Sequence, residues 1–326
     1  MRYKDNWPLL FLLIAVIYNY MLPIFLYDFS VRLFSYLSLF LITTIIIFKN
    51  FNFKFSHLNF SLGNKPINFL YLIIIISFLG YKNYHLWRSI APITMLLVLS
   101  KNRILNLLSI IGVILLSVGY SKVYFLLFPL FYWFLIEKKN LKIILLIPIL
   151  FFFGGFIVFK FQNVANLSEL PGFDTLWLSE YIFDTYPRKK NFLYGESLKG
   201  VILNFIPRTL WEGKPIAFGV QLSMDIWGRS IDNIFTNYGP GIVGESYANF
   251  GKFGPIIFGI ITGYILKVMK NITERLTFFP TIYFLPFIVY YIRGDFLNGC
   301  INILIQILIL SLININAKHI KSIFRL

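Results

Sequence analysis

An acidic, glycine-rich stretch, Gly244-Glu245-Ser246-Tyr247-Ala248-Asn249-Phe250-Gly251-Lys252-Phe253-Gly254, runs directly into an apolar segment at 255–269. A carboxylate and a tyrosine at the mouth of a membrane-spanning helix are costly there unless they act on something. A carboxylate so placed can orient or deprotonate an attacking hydroxyl. The plainer alternative is a glycine turn that starts a helix, with Glu245 solvated among lipid headgroups.

Three further groups carry cations suited to anionic ligands. In Ile206-Pro207-Arg208-Thr209-Leu210-Trp211-Glu212-Gly213-Lys214-Pro215, a proline-bounded loop holds an arginine and a lysine six positions apart, with a tryptophan between them. A guanidinium binds phosphate as a planar fork and an ammonium as a point charge. At the outer surface of a membrane, the available phosphate is often that of a lipid carrier. An interfacial loop with snorkelling cations and an anchoring tryptophan is the competing reading. Tyr290-Tyr291-Ile292-Arg293-Gly294-Asp295 closes an apolar run with an arginine two residues from an aspartate. That is either a self-neutralising pair at a helix end or a diphosphate-binding arginine. Lys122, in Gly119-Tyr120-Ser121-Lys122, and Arg88 stand at expected outer turns, where a flanking cation more commonly snorkels.

The elements that position these groups must be membrane helices. Of the 326 residues, 58% are hydrophobic and 13% charged, against about 45–50% and about 25% in soluble chains. The net charge of +16 lies mostly in short loops between apolar runs. It therefore sets topology rather than marking nucleic-acid binding. Cys300 is the single cysteine, and the histidines His57, His85 and His319 are scattered. This predicts no intrachain disulfide, no metal site and no cofactor.

Apolar runs at 7–27, 31–48, 67–83, 86–100, 104–119, 121–136, 141–159, 253–269, 277–292 and 300–316 predict an all-α polytopic membrane protein of about ten transmembrane helices. The first run follows Arg2 and Lys4 without a small-residue cleavage site and reads as a retained span. With the N-terminus in the cytoplasm, the inner loops and tail collect Lys49, Lys54, Lys101, Lys138, Lys139 and Lys318 among others. The short outer loops hold only Arg32, Lys82, Arg88, Lys122 and Arg293. That asymmetry fits an even number of spans; one helix more or fewer inverts every later loop.

The chain then divides into helices 1–7 (1–159), a large outer loop (160–252) and helices 8–10 with a cytoplasmic tail (253–326). The loop holds nine acidic residues and is rich in aromatics; long loops in compact proteins are usually functional or disordered. Leu198, Val201, Ile202, Phe205 and Ile206 predict a short amphipathic helix within it, ended by Pro207.

Taken in order, Pro207-Arg208-x-x-Trp211-x-x-Lys214-Pro215, Gly244-Glu245-x-Tyr247-x-Asn249-Phe250-Gly251-x-x-Gly254 and Arg293-Gly294-Asp295 resemble the Wzy-type O-antigen polymerases, or oligosaccharide repeat-unit polymerases. The resemblance is strong over about 186–296; the N-terminal half matches in hydropathy and topology only. It implies a metal-independent glycosyltransferase of GT-C-like architecture in the bacterial inner membrane, with its active site on the periplasmic face. Undecaprenyl-diphosphate-linked oligosaccharides are donor and acceptor, the bilayer is the medium, and a chain-length regulator protein is a further expected partner. In this reading Glu245, Arg208 and Arg293 are catalytic, with Glu245 ahead of Asp295 and Glu212 as the base. Lys214, Arg88, Lys122, Tyr247, Asp295, Glu212 and Trp211 contact the diphosphate or the glycan.

An O-antigen ligase of related fold needs a histidine in the large loop, and 160–252 contains none. A flippase or other transporter predicts repeat symmetry and short loops. A ten-span acyltransferase predicts a histidine near an arginine in the first span, which has neither. The topology predicts that reporter fusions after Lys139 and after Lys190 report opposite sides of the membrane; the same side for both would overturn it.

Overall fold

The computed structural model describes residues 3–21, 30–51, 174–203, 210–211, 213–228, 238–275, 285–301 and 303–304. Five of the expected spans, at 67–83, 86–100, 104–119, 121–136 and 141–159, lie outside the described residues. The chain divides into two compact units: residues 1–54, 155–270 and 287–301 form one, and residues 55–154, 271–286 and 302–326 the other. Most described residues belong to the first unit, and the packing described here is its own.

The described residues are helical, with no strand among them. The helices are α1 (Tyr3–Val16), α2 (Val31–Asn50), α3 (Asp174–Thr185), α4 (Glu196–Leu203), α5 (Phe218–Trp227), α6 (Gly241–Phe250), α7 (Gly254–Arg275) and α8 (Leu285–Arg293). A π-helical turn, Ile17–Met21, extends α1, and a 3-10 turn, Gly251–Phe253, joins α6 to α7. Residues 296–301 resume helix after α8, with residue 302 left out of the description.

Two helical stretches, Val31–Asn50 and Gly241–Asn271, are long and apolar enough to cross a membrane. Ser30 starts α2: its Oγ accepts from the Leu33 N–H at 3.1 Å, a cap worth about 1 kcal/mol. Ser35, Ser38, Thr43 and Thr44 each donate to a carbonyl four residues back. These hydroxyls are thus satisfied inside an apolar helix, as a lipid environment requires. The two stretches meet through glycine. A Cβ on Gly259 would lie 2.8 Å from the Phe40 carbonyl oxygen, and one on Gly263 would lie 2.8 Å from that of Thr44. Two glycines four apart on α7 therefore let its backbone approach that of α2.

A second packing centre joins α3, α5 and α6. Leu178 and Ile182, Phe218 and Leu222, and Ala248 are buried together with Tyr186; the spacing of four puts each pair on one helix face. Burial pushes the Tyr186 phenol up to about 12, with Asp225 adding to the effect, so it is an uncharged member of this core. Around it, Lys190 pairs with Asp225.

The expected amphipathic helix is present as α4, beginning at Glu196, two residues before the first apolar position singled out in the sequence. Its predicted C-terminal part, 204–206, lies outside the described residues. The stretch 244–254 differs from expectation. Rather than a solvated lip, residues 244–250 form most of α6, a buried helix that leads through the Gly251–Phe253 turn into α7. Gly241 opens α6 with φ 70° and also packs closely, whereas Gly244 serves close packing alone. A Cβ on Gly241 would overlap the Tyr20 hydroxyl, and one on Gly244 would sit 3.0 Å from Ile182 Cδ1. The turn comes later, at Gly251 (φ 57°), where the chain bends back so sharply that a Cβ on Gly254 would overlap the Ser246 carbonyl. Gly254→Ala is therefore expected to cost at least the roughly 1–3 kcal/mol of an overpacked core. Thermal denaturation of the detergent-solubilised variant measures this; an unchanged midpoint would mean that the bend is looser than described.

Candidate functional site

Helix α6 sets out its side chains on two faces. Glu245 and Asn249, one helical turn apart, share a face and are both fully buried. Glu245 Oε2 accepts the Phe296 backbone N–H at 2.6 Å. Its other oxygen, Oε1, is buried without a hydrogen bond of normal geometry, although the Ser197 hydroxyl is within reach of the carboxyl. Asn249 spends its whole side chain on its neighbours. Its amide nitrogen donates to Ser197 Oγ and to the Glu245 carbonyl, both at 2.9 Å, and its oxygen accepts from the Gly195 N–H at 3.1 Å. The backbone N–H groups of Leu193 and Tyr194 donate to the carbonyls of Ala248 and Asn249. The segment leading into α4 is thereby fastened to the last turn of α6.

Opposite α6 lies the turn that follows α8. Arg293 is the last residue of α8, where a cation suits the helix C-terminus, and its side chain is half-buried. The Gly294 N–H donates to the Tyr290 carbonyl at 2.7 Å. Asp295, 2% exposed, receives the Asn298 backbone N–H on one oxygen at 2.7 Å and the Asn298 side-chain amide on the other at 2.8 Å. It thus caps the helical residues that follow. The carbonyl of Arg293 lies against Gly239, where a Cβ would come within 2.7 Å of the oxygen. Below the turn, Phe296 packs against Phe258 and Tyr291, and the Tyr291 hydroxyl is 2.8 Å from that of Thr262.

Of the residues expected in the site, Glu245 and the Arg293–Asp295 turn are brought together. Tyr247 faces elsewhere, its ring centroid 4.8 Å from that of Phe183, 5.2 Å from Tyr36 and 6.0 Å from Phe192. Trp211 and Lys214 form a tight turn, the Lys214 N–H donating to the Trp211 carbonyl at 3.1 Å. Arg88, Lys122, Arg208 and Glu212 lie outside the described residues.

Sequence reasoning gave no role to Ser197 or Asn298, and counted Arg32 only among the outer-loop cations. Arg32, in the first turn of α2, donates from both terminal nitrogens to Asp184 Oδ1 at 3.0 Å and lies 3.4 Å from Glu180, which also receives the Ser30 hydroxyl. The spacing of Glu180 and Asp184, one turn apart on a helix, was the available signal. Nothing in the sequence named their partner 150 positions away.

Helical throughout its described part and carrying two stretches able to span a bilayer, the chain is consistent with an all-α membrane protein. Residues 172–321 match the model of the family described as O-antigen polysaccharide polymerase Wzy. Two curated relatives are each named "O-antigen polymerase", one from Salmonella typhimurium (strain LT2) and one from Salmonella typhi. Each is 28% identical over 156 residues, a match that spans 43% of this chain and 36% of the relative. Residues 172–321 are thus similar to Wzy-type O-antigen polymerases. The matched region contains α3 to α8 and every described residue of the site. No solved structure matches the chain closely enough to report.

The cap makes a specific prediction. Asp295→Asn keeps a side chain able to cap and is expected to accumulate and melt close to wild type. Asp295→Ala is expected to lose about 0.5–2 kcal/mol. Equal destabilisation of both, measured by thermal unfolding in detergent, would show that charge rather than capping matters at Asp295.

Proposed function

We propose that the chain polymerises undecaprenyl-diphosphate-linked oligosaccharide repeat units at the periplasmic face of the inner membrane, by glycosyl transfer that needs no metal ion. The observation that carries this reading is the family match over 172–321, which takes in the buried joint between Glu245 and the turn bearing Arg293.

In this reading the growing chain on its lipid is the donor and a fresh lipid-linked unit the acceptor. The acceptor hydroxyl oxygen forms a bond to the donor's anomeric carbon as that carbon's bond to the diphosphate breaks. Undecaprenyl diphosphate leaves with the bonding electrons, and the hydroxyl proton passes to the medium. Diphosphate is already a good leaving group, so the protein's main task is to stabilise the departing charge. Arg293 and Arg208 are suited to that task, with Lys214, Arg88 and Lys122 as further cations. Trp211, Tyr247 and Glu212 are left to glycan binding or to support of the loop. A chain-length regulator is a partner of this reading.

Arg208→Ala and Arg293→Ala are each expected to abolish polymer while the protein still accumulates in the membrane, leaving single repeat units on the cell surface. Replacement by lysine is expected to restore little, because a point charge does not reproduce a bidentate fork. Gel profiles of the surface glycan read the result; full-length polymer from an alanine variant would return that arginine to a snorkelling role.

A further inference from the structure

We infer that Glu245 is a positioning residue: its bond to the Phe296 amide holds the Arg293–Phe296 turn, and so the Arg293 guanidinium, in the place where it meets a lipid-linked diphosphate. The inference takes Arg293's task from the proposed function, and everything else from geometry.

Four observations lead to it. Glu245 has no exposed surface, and one of its oxygens is engaged by a backbone N–H at 2.6 Å. A general base must come within about 2.6–3.2 Å of the proton it takes, directly or through one water; this carboxyl is turned into the protein instead. Asp295, the next acid considered for that part, has both oxygens on Asn298. The turn is also pinned from a third side by Gly239, which has no Cβ to hold the Arg293 carbonyl away. Finally, Glu245 rides on a helix whose own place is fixed, by Gly241 and Gly244 against Tyr20 and α3 and by Asn249 against Gly195 and Ser197. Glu245 is thus the link between a rigid helix and the turn that carries the cation.

Catalytic groups displaced by about 1 Å can lose on the order of 10²-fold in rate, so a link of this kind has a kinetic signature. Glu245→Gln keeps an oxygen that accepts from Phe296 and places an amide nitrogen where Oε1 lacks a bond, near Ser197. Glu245→Ala keeps neither. The assay is purified protein in nanodiscs given lipid-linked repeat units, together with direct binding of undecaprenyl diphosphate. Glu245→Gln is expected to retain turnover within about tenfold of wild type, with a pH–rate profile of the wild-type shape. A lost base would instead cost about 10²–10⁴-fold and change that shape on its acidic side. Glu245→Ala is expected to weaken lipid-diphosphate binding as much as Arg293→Ala does. The double variant should bind no more weakly than Arg293→Ala alone, as expected for two residues acting through one contact.

A folded Glu245→Gln protein with wild-type lipid binding and no turnover would overturn the inference in favour of a base. Additive losses in the double variant would overturn it as well. If Glu245→Ala does not accumulate, the Gln variant's turnover and pH profile decide alone. A wild type that neither makes polymer nor binds the lipid diphosphate would remove the functional reading, and this inference with it.

Discussion

The bond between the Phe296 amide and the Glu245 carboxyl joins two stretches 51 positions apart in the chain, with no water-exposed surface on the acid. Burying a carboxyl is costly unless its oxygens are engaged. One oxygen is met by the Phe296 amide, and the surrounding structure holds both partners of that bond in place. Asn249 secures the carbonyl of Glu245 itself and the start of α4. Gly244 lets α6 sink against α3. Asp295 closes the first turn of the helical residues whose leading N–H Glu245 receives. Removing the acid would leave an unpaired buried amide, so neither partner is free to drift without the other.

A similar economy governs the apolar parts. Helix α2 carries two serines and two threonines that would be a burden in lipid, yet each hydroxyl is spent on its own helix. The contact with α7 relies on glycine rather than on interlocking large side chains. Between apolar helices in a bilayer, burying hydrocarbon gains little, because lipid tails are as apolar as leucine, and close backbone approach supplies the attraction instead.

How much of this was legible beforehand depends on the range of the signal. Local patterns survived: the apolar runs of α2 and α7 and the amphipathic spacing of α4. The helix α6 was misread because glycine is ambiguous in one dimension. Gly244, Gly251 and Gly254 look alike in sequence, but Gly251 makes the bend, Gly254 lets the bend close on Ser246, and Gly244 admits a neighbouring helix. Reading 245 and 249 at helical spacing would have placed the acid and the asparagine on one face. The orientation of Tyr247 into an aromatic cluster, and the partner of Glu245, depend on contacts between distant segments, which no local pattern encodes. The ten-span count, the loop boundaries and the roles of Arg88, Lys122, Arg208 and Glu212 fall on residues or orientations beyond the described structure.

The N-terminal helices also hold polar groups whose partners are made much later. The Asn19 carbonyl waits for Thr175, Ser30 for Glu180, and the Tyr20 hydroxyl for the Val243 N–H, separations of 156, 150 and 223 positions. At a synthesis rate of about 5–20 residues per second, α1 and α2 are made on the order of ten seconds before the last of these partners. A chain that stops before about residue 243 therefore lacks the Val243 N–H that meets the Tyr20 hydroxyl and cannot complete this part of its core.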